Sequence, residues 1–593
     1  MTAYIIPLVV YGCIDGIWLL GLNLELGMAG IFDFGYVLFF GLGAYIASVM
    51  SMGPANSPSV KLLSETYLFG ASFPFPLPWL VALIIGGLLA WLIGMSVVRR
   101  LRGDYLAFAL LAVGQGIWNI VGNNVSLFNG YTGLLEIPRP WTASSTAELQ
   151  DIPFLLSVVV LFSLSLLFSQ CILHSPFGRT VRAVRDREEA AQTLGKNPLR
   201  FRLSAYVCGA CLAALAGALL AEYLTVWAPS AWTVNETFIA LAALVIGGRG
   251  NTWGTLLGAF LVPVGFFEAV QFLPLSLDPE KVAALQWIVI GLLLLLFLWF
   301  RPQGLLPESG KRVGQSRKKL QRAPVQPTAP LASRSPIFSE PSSGVALRCL
   351  DVGYTFGGIK AVYGASFSLD YGHLLGLIGP NGAGKSTLLH CLTGKLLPAQ
   401  GQVFLEGTEI TAWSSDKRAR QGLLRTFQLT SVFAHLTVMD NLLVAVRGQR
   451  GEQVWSAILD RWRWSRDEQK SRTKASLLLE QIGLSHLQNA PAQTLSGGEK
   501  RLLELVRALM ASPKVLLLDE PFVGLSLHMV ERVISLLKEL QQQGVAILLI
   551  EHEPDIVARL CDQVIVMEKG TPIAKGTYQE VLNREAVQQS FIN

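Results

Sequence analysis

Gly379, Pro380, Asn381, Gly382, Ala383, Gly384, Lys385 and Ser386 fit the spacing GxxxxGKS, between an apolar run, LLGLI, and a helix-forming run, TLLHCLTG. A glycine-rich turn lets successive backbone N–H groups wrap an anion, and a helix opening directly after it adds a favourable field. In that setting Lys385 reaches the β- and γ-phosphates of a nucleotide, Ser386 offers its hydroxyl to Mg²⁺, and Thr387 lies beside it. Further on, KVLLLDEP reads as a buried strand ending in two acids. Asp519 suits the metal, directly or through water, and Glu520 suits polarising an attacking water. Between these motifs, LSGGEKRLLELVRALM (Leu495 to Met510) is a Ser–Gly–Gly turn opening an amphipathic helix. Its first N–H groups form a second anion site, too far along the chain to belong to the first loop.

The elements that position this chemistry are unevenly distributed. The chain has 593 residues, 51% hydrophobic and 15% charged, with a net charge of +6. Soluble domains carry about 25% charged residues, so part of this chain lives in lipid. Apolar runs continue to Phe300, and the sequence after Arg301 reads as soluble. Basic residues cluster beside the apolar runs and in a linker, a pattern of membrane topology rather than nucleic-acid binding. Seven cysteines are scattered. Cys208 and Cys211 form a CxxC inside an Ala- and Gly-rich span, where small residues packing a helix interface is the reading preferred over metal or redox chemistry. The start, MTAYIIPLVV, has no basic n-region and reads as a first span rather than a signal peptide.

A helix needs about 20 apolar residues to cross a bilayer. Candidates are 4–22, 28–50, 79–98, 104–122, 152–173, 203–227, 254–272 and 283–300, with 236–248 a partial or broken span. Arg99, Arg100 and Arg102 form one basic cluster, and Arg179, Arg182, Arg185, Arg187, Lys196, Arg200 and Arg202 another. Both should face the cytoplasm, and the two crossings between them agree. Gly21 to Ala47 is dense in glycine, as broken helices facing a substrate can be. Intramembrane carboxylates are costly and point to function. The plain reading places Glu25 at the interface and pairs Asp15, Asp33 and Glu268 within the bundle, with Asp33 considered for a direct substrate contact. Residues 306–344, rich in Pro, Ser and basic side chains, read as a flexible tether.

GPNGAGKST, LSGGEK, LLLDEP and LLIEHE, in this order, resemble the ABC-transporter ATPases. The resemblance implies ATP sandwiched between two such domains, with Gly379–Thr387 of one facing Ser496, Gly497, Gly498 and Glu499 of the other. It implies that Gln428 senses Mg²⁺ and touches the permease, that His552 lies at the γ-phosphate, and that Phe356 stacks on adenine. Ser526 departs from the Asp or Asn that many relatives carry, which puts that loop's contribution to the partner's site in doubt. Glu189, Ala190, Ala191 and Gly195 resemble the EAA loop of ABC importers, a short cytoplasmic helix that docks on the ATPase; Asn197-Pro198 departs from its usual apolar ending. GLNLELGMAG, RLRGDYLAFALLAVG and GGRGNTWGTLLGA are similar to the permease of the branched-chain amino acid uptake family, and FGGIKAVYGASFSL to its ATP-binding subunit.

The expected fold is an all-α polytopic membrane domain of about eight to ten spans over residues 1–305, the linker 306–344, and an α/β P-loop ATPase with a helical subdomain over 345–593. The expected function is the permease-plus-ATPase component of an importer for branched-chain or neutral amino acids. The expected partners are a separate solute-binding protein, a second permease, a second ATPase chain and the lipid bilayer, with no nucleic acid. The expected location is the prokaryotic plasma membrane, with the ATPase domain cytoplasmic. Import of urea or short amides on the same framework is the alternative, followed by an exporter or floppase, against which the EAA-like loop argues.

Overall fold

A computed structural model describes residues 2–54, 66–141, 151–266, 279–308, 344–426, 428, 430–585 and 587–588. Two compact units form, and they interleave along the chain: 1–185 with 199–312 and 453–459, and 186–198 with 313–452 and 460–593.

The first unit is helical. Among the described residues six helices are long and apolar enough to cross a membrane: Ile5–Met28, Leu77–Val98, Gly103–Asn123, Ile152–Leu173, Pro198–Leu224 and Pro229–Gly247. Val37–Ser51, Thr252–Phe266 and Ala284–Phe300 are shorter apolar helices. Three boundaries differ from the sequence reading. The first helix continues through a π-helical segment, Asn23–Met28, so Glu25 is fully buried rather than interfacial. The expected 28–50 span begins only at Val37. Gly30 takes a φ of +67°, and Asp33 Oδ1 accepts the Gly35 N–H at 2.7 Å, a local side-chain bond that competes with the helical ladder. The 236–248 stretch is not partial, because a 3₁₀ turn at Pro229–Ala231 leads into the Val234–Gly247 helix. Glu268 lies outside the described residues, as do residues 309–343 of the expected linker. Glu308, just before them, is paired with Arg185 at 3.0 Å.

Small residues let these helices close on one another. A Cβ on Gly217 would meet the Phe40 carbonyl oxygen at 1.9 Å, and one on Gly43 the Ala214 carbonyl oxygen at 2.3 Å. Cys211 is part of the same packing, its thiol donating to the Leu83 carbonyl at 3.5 Å.

Among its described residues the second unit carries ten strands: β1 (Val345–Phe356), β2 (Ile359–Asp370), β3 (Leu374–Ile378), β4 (Gln400–Leu405), β5 (Thr408–Glu409), β6 (Leu423–Arg425), β7 (Val515–Asp519), β8 (Ala546–Ile550), β9 (Gln563–Glu568) and β10 (Thr571–Gly576). An antiparallel sheet has the order β2-β1-β4-β5, and a second sheet the order β10-β9-β3-β8-β7-β6. Strands β9, β3, β8, β7 and β6 are parallel, and β3, β7 and β8 are buried along their whole length. This explains why they read as unbroken apolar runs rather than alternating ones. The Val438–Val444, Arg461–Gln481 and Gly497–Met510 helices pack into the helical subdomain.

Candidate ATP site and coupling segment

The phosphate loop leaves the end of β3 and enters the Lys385–Thr393 helix. Gly379 and Gly384 have φ of +150° and +93°, and a Cβ on either would lie 2.2 Å from a carbonyl oxygen, of Met567 and Ala361 respectively. Only glycine fits both. Lys385 folds back over the loop, its Nζ donating to the carbonyls of Gly379 at 2.7 Å and Pro380 at 2.9 Å. Burial lowers the pKa of this ammonium, opposed by the nearby carboxylates of Glu520 and Asp519.

β7 delivers the two acids. Asp519 is buried and pairs through Oδ2 with Arg425 Nη2, at the end of neighbouring β6, at 3.0 Å. Burial raises its pKa and Arg425 opposes the rise. Its other oxygen, Oδ1, is buried without a hydrogen-bond partner among the described residues. Glu520 sits in the left-handed region at φ +47°, its N–H donating to the Ile550 carbonyl at 2.9 Å. Two side chains converge on its carboxylate: Gln428 Nε2 at 3.1 Å from Oε2, and His552 Nε2 at 3.1 Å from Oε1. Three sequence-distant residues thus meet at one carboxylate.

Ser496 caps the Gly497–Met510 helix in a reciprocal capping box with Glu499. A Cβ on Gly497 would meet nothing within 4 Å, so this turn is open. Phe356 ends β1, half exposed, edge-on to Tyr354 at 4.8 Å between centroids. It faces Ile359 across the hairpin into β2, the strand whose Ala361 carbonyl abuts Gly384. Ser526 precedes the Leu527–Gln542 helix in extended conformation and makes no side-chain cap.

The EAA-like segment belongs to this same unit. Its helix is short, Glu188–Thr193, and closes in a Schellman motif: Gly195 N–H donates to the Gln192 carbonyl at 2.9 Å and Lys196 N–H to the Ala191 carbonyl at 3.0 Å. Gly195 has φ +82°, and a Cβ there would lie 2.9 Å from Arg420 Cγ. Ala190, Ala191 and Leu194 are buried. Not all of the segment's charge lies at its edge. Lys196 is buried, pairing with Glu452 and donating to the Val446 carbonyl at 2.8 Å, and Asp186 receives the His435 N–H at 2.9 Å and His435 Nδ1 at 2.8 Å. Glu189 and Lys395, 2.8 Å apart, form an exposed pair. Pro198 opens the next helix, Pro198–Leu224, a position suited to its missing N–H.

Residues 4–298 match the family described as branched-chain amino acid transport system, permease component, and residues 362–523 match the ABC transporter family. The probable branched-chain amino acid transport ATP-binding protein LivG of Archaeoglobus fulgidus is 35% identical over 237 residues, 40% of this chain and 91% of that protein. The high-affinity branched-chain amino acid transport ATP-binding protein BraF of Pseudomonas aeruginosa is 34% identical over 238 residues, 40% of this chain and 93% of that protein. The chain belongs to the branched-chain amino acid ABC transporters. In this family member a permease and an ATPase are fused, and the ATPase domain binds ATP and couples its hydrolysis to transport.

Two arginines of the ATPase domain escape the motif reading. Arg425 neutralises Asp519, and Arg501 Nη2 donates to the carbonyls of Asp519 at 2.8 Å and Glu520 at 2.5 Å. The Gly497–Met510 helix therefore holds the turn that carries the acids of its own domain. LLRTFQ and GGEKR contain these residues, but a basic side chain beside a motif does not reveal which carboxylate or carbonyl it meets.

Removing one member of a buried ion pair leaves the other uncompensated, at a cost of about 3 kcal/mol. Arg425→Leu should therefore lower the thermal unfolding midpoint of the nucleotide-free protein, with Arg425→Lys recovering part of the loss. Differential scanning fluorimetry of the reconstituted chain checks this, and an unchanged midpoint for Arg425→Leu would refute it.

Proposed function

We propose that this chain is the permease-plus-ATPase component of an ATP-driven importer of branched-chain or other neutral amino acids, loaded by a separate solute-binding protein. The observation that carries the inward direction is the EAA-like segment 186–198 packing within the ATPase unit through Ala190, Ala191, Leu194 and Gly195. The relatives' names support the substrate class. The chain works in a prokaryotic plasma membrane as a multi-pass protein with its ATPase domain in the cytoplasm.

In this reading Gly379–Thr387 and Lys385 hold the ATP phosphates and Phe356 stacks on adenine. Mg²⁺ fits the residues present, because Asp519 keeps one buried carboxylate oxygen without a hydrogen-bond partner among the described residues; Ser386, Asp519 and Gln428 would hold it. The metal supplies charge neutralisation on the phosphates. Glu520 accepts the proton of the attacking water, Gln428 and His552 orient its carboxylate, and His552 lies toward the γ-phosphate. Ser496, Gly497, Gly498 and Glu499 close over the ATP of a partner cassette.

One permease and one ATPase make half a transporter. The family resemblance favours pairing with a second, dissimilar permease and ATPase, and Ser526 fits two ATP sites that need not be equivalent.

Lys385→Ala and Glu520→Gln should both abolish uptake in proteoliposomes. Only Glu520→Gln should retain bound ATP, and wild-type hydrolysis by it would overturn the assignment. Gly195→Trp should keep basal ATPase but lose stimulation by loaded binding protein and lose uptake, because a side chain there collides with Arg420 and strains a left-handed turn. Normal transport would mean the segment does not couple. Native mass spectrometry of the complex should show a second permease and a second ATPase chain; a transport-competent homodimer with a binding protein alone would overturn the heteromeric arrangement.

A further inference from the structure

The Gly103–Asn123 helix crosses the membrane unit with a face that does not suit lipid. Phe108, Ala112, Gly116, Asn119 and Asn123 are exposed, and Gln115 is half-buried. At about 100° per residue these positions fall within about 100° of one another. Leu106, Leu110, Gly114 and Val121 lie on the other side and are buried. A Cβ on Gly116 would meet nothing within 4 Å, so the middle of the exposed face is bare backbone. Counting about 1.5 Å per residue from Gly103, Gln115 lies about 18 Å and Asn119 about 24 Å along a hydrocarbon core of about 30 Å. Two side-chain amides and a bare glycine thus occupy depths where polar groups facing acyl chains are costly.

Neighbouring helices of the unit present a different chemistry. Ile84 and Leu88 on the Leu77–Ile93 helix, Val160 and Leu164 on the Asp151–Leu173 helix, and Leu292 and Leu295 on the Pro279–Phe300 helix are each more than half exposed. These are aliphatic side chains of the kind lipid accepts. The amide-bearing face stands apart from them.

The irregular backbone between Met28 and Val37 packs on the same helix. A Cβ on Gly35 would lie 2.3 Å from the Leu110 carbonyl oxygen, and one on Gly114 3.2 Å from Gly35 Cα. Non-helical backbone at membrane depth is tolerated where protein buries it or where it lines a water-filled cavity, and broken segments form solute sites in transporters. This segment reaches the surface of the unit. Phe32 is 45% exposed, and the Phe34 ring lies 6.1 Å from that of Phe108 and 5.8 Å from that of Phe238 between centroids. Phe108 and Phe238 are both exposed. An open aromatic group therefore adjoins the polar face at its Phe108 end, the end that follows the basic residues 99–102.

We propose that the Ala112–Asn119 face of this helix lines the water-filled path of the transported solute, with Phe34, Phe108 and Phe238 as its apolar contact toward the cytoplasmic side. Gln115, Asn119 and the open backbone at Gly116 offer hydrogen bonds to the charged ends of a zwitterion, and the phenyl rings meet an aliphatic side chain. That chemistry fits a neutral amino acid. The solute class rests on the importer reading above, whereas the water-lined face does not. The occupant of the face is water and, in passage, the solute, neither lipid nor a sealed protein contact.

The test is thiol accessibility in the full chain, held in nanodiscs with the subunits that co-purify with it so that both membrane faces meet the reagent. Asn119→Cys and Ala112→Cys, measured over the background of the wild-type chain, should react with a membrane-impermeant cationic methanethiosulfonate at least severalfold faster than Ile84→Cys and Leu164→Cys. Gly116→Cys supplies another reading if either variant folds poorly. In cells, modification of Asn119→Cys should cut uptake of the solute that the wild type carries severalfold and leave uptake through Ile84→Cys unchanged. Reaction no faster than at positions 84 and 164 would put the face in lipid or under a partner subunit and overturn the proposal. Fast reaction that leaves uptake untouched would overturn it equally. Wild-type uptake of urea in place of leucine would instead overturn the amino-acid reading, with the path still decided by the thiol rates.

Discussion

The parallel registration of β3, β8, β7 and β6 is the constraint on which the ATP site depends. Leu377 and Asp519 both pair with Ile550, so the loops leaving β3, β7 and β8 emerge at one level of the sheet. Neighbouring strands lie about 4.8 Å apart, within reach of side chains from adjacent loops. That places Lys385, the Asp519–Glu520 pair, His552 and the segment carrying Gln428 along a single edge. A one-residue slip would exchange the faces of each strand and carry its following loop out of level with the others. Strain is held at the same edge. A non-glycine residue at positive φ costs of order 1–3 kcal/mol, and Glu520 is held there by the Ile550 carbonyl below its N–H and the Arg501 guanidinium on its own carbonyl. The carboxylate is thus presented toward Gln428 and His552 rather than back along the strand.

The EAA-like segment uses a different balance of forces. Its helix is too short to be stable alone, since isolated helices below about 12–15 residues are marginal in water. Its order comes from buried small residues, from a left-handed glycine at its end, and from two ionic side chains withdrawn from solvent, Lys196 and Asp186. Surface pairs such as Glu189 with Lys395 contribute about 0–1 kcal/mol; the buried groups weigh more because losing either partner strands a charge.

In the membrane unit the break between Met28 and Val37 has its own logic. Backbone that leaves the helical ladder in lipid must find partners inside the protein, and Asp33 supplies one for Gly35 while the Gly250 N–H donates to Asn23 Oδ1 at 2.8 Å. Tyr36 reaches across helices to the carbonyls of Trp18 at 3.0 Å and Gly209 at 3.1 Å. Glu25 stays fully buried, its carboxylate oxygens without a hydrogen-bond partner among the described residues.

The sequence by itself determined which chemistry the chain carries. GPNGAGKST, LSGGEK, LLLDEP and the apolar runs before Arg301 are local signals: backbone conformation, strand hydrophobicity and bilayer length act on consecutive residues. The Glu188–Thr193 helix was legible through the likeness of Glu189, Ala190, Ala191 and Gly195 to the EAA loop. Tertiary structure decided what depends on residues meeting across the chain. It brought Gln428 and His552 to Glu520, gave Asp519 its Arg425 counterion, buried Lys196 against Glu452, and carried Glu25 inward by prolonging the first helix. None of these follows from spacing, because the partner of a charge or an aromatic ring is set by which elements pack together, and that is a property of the whole fold.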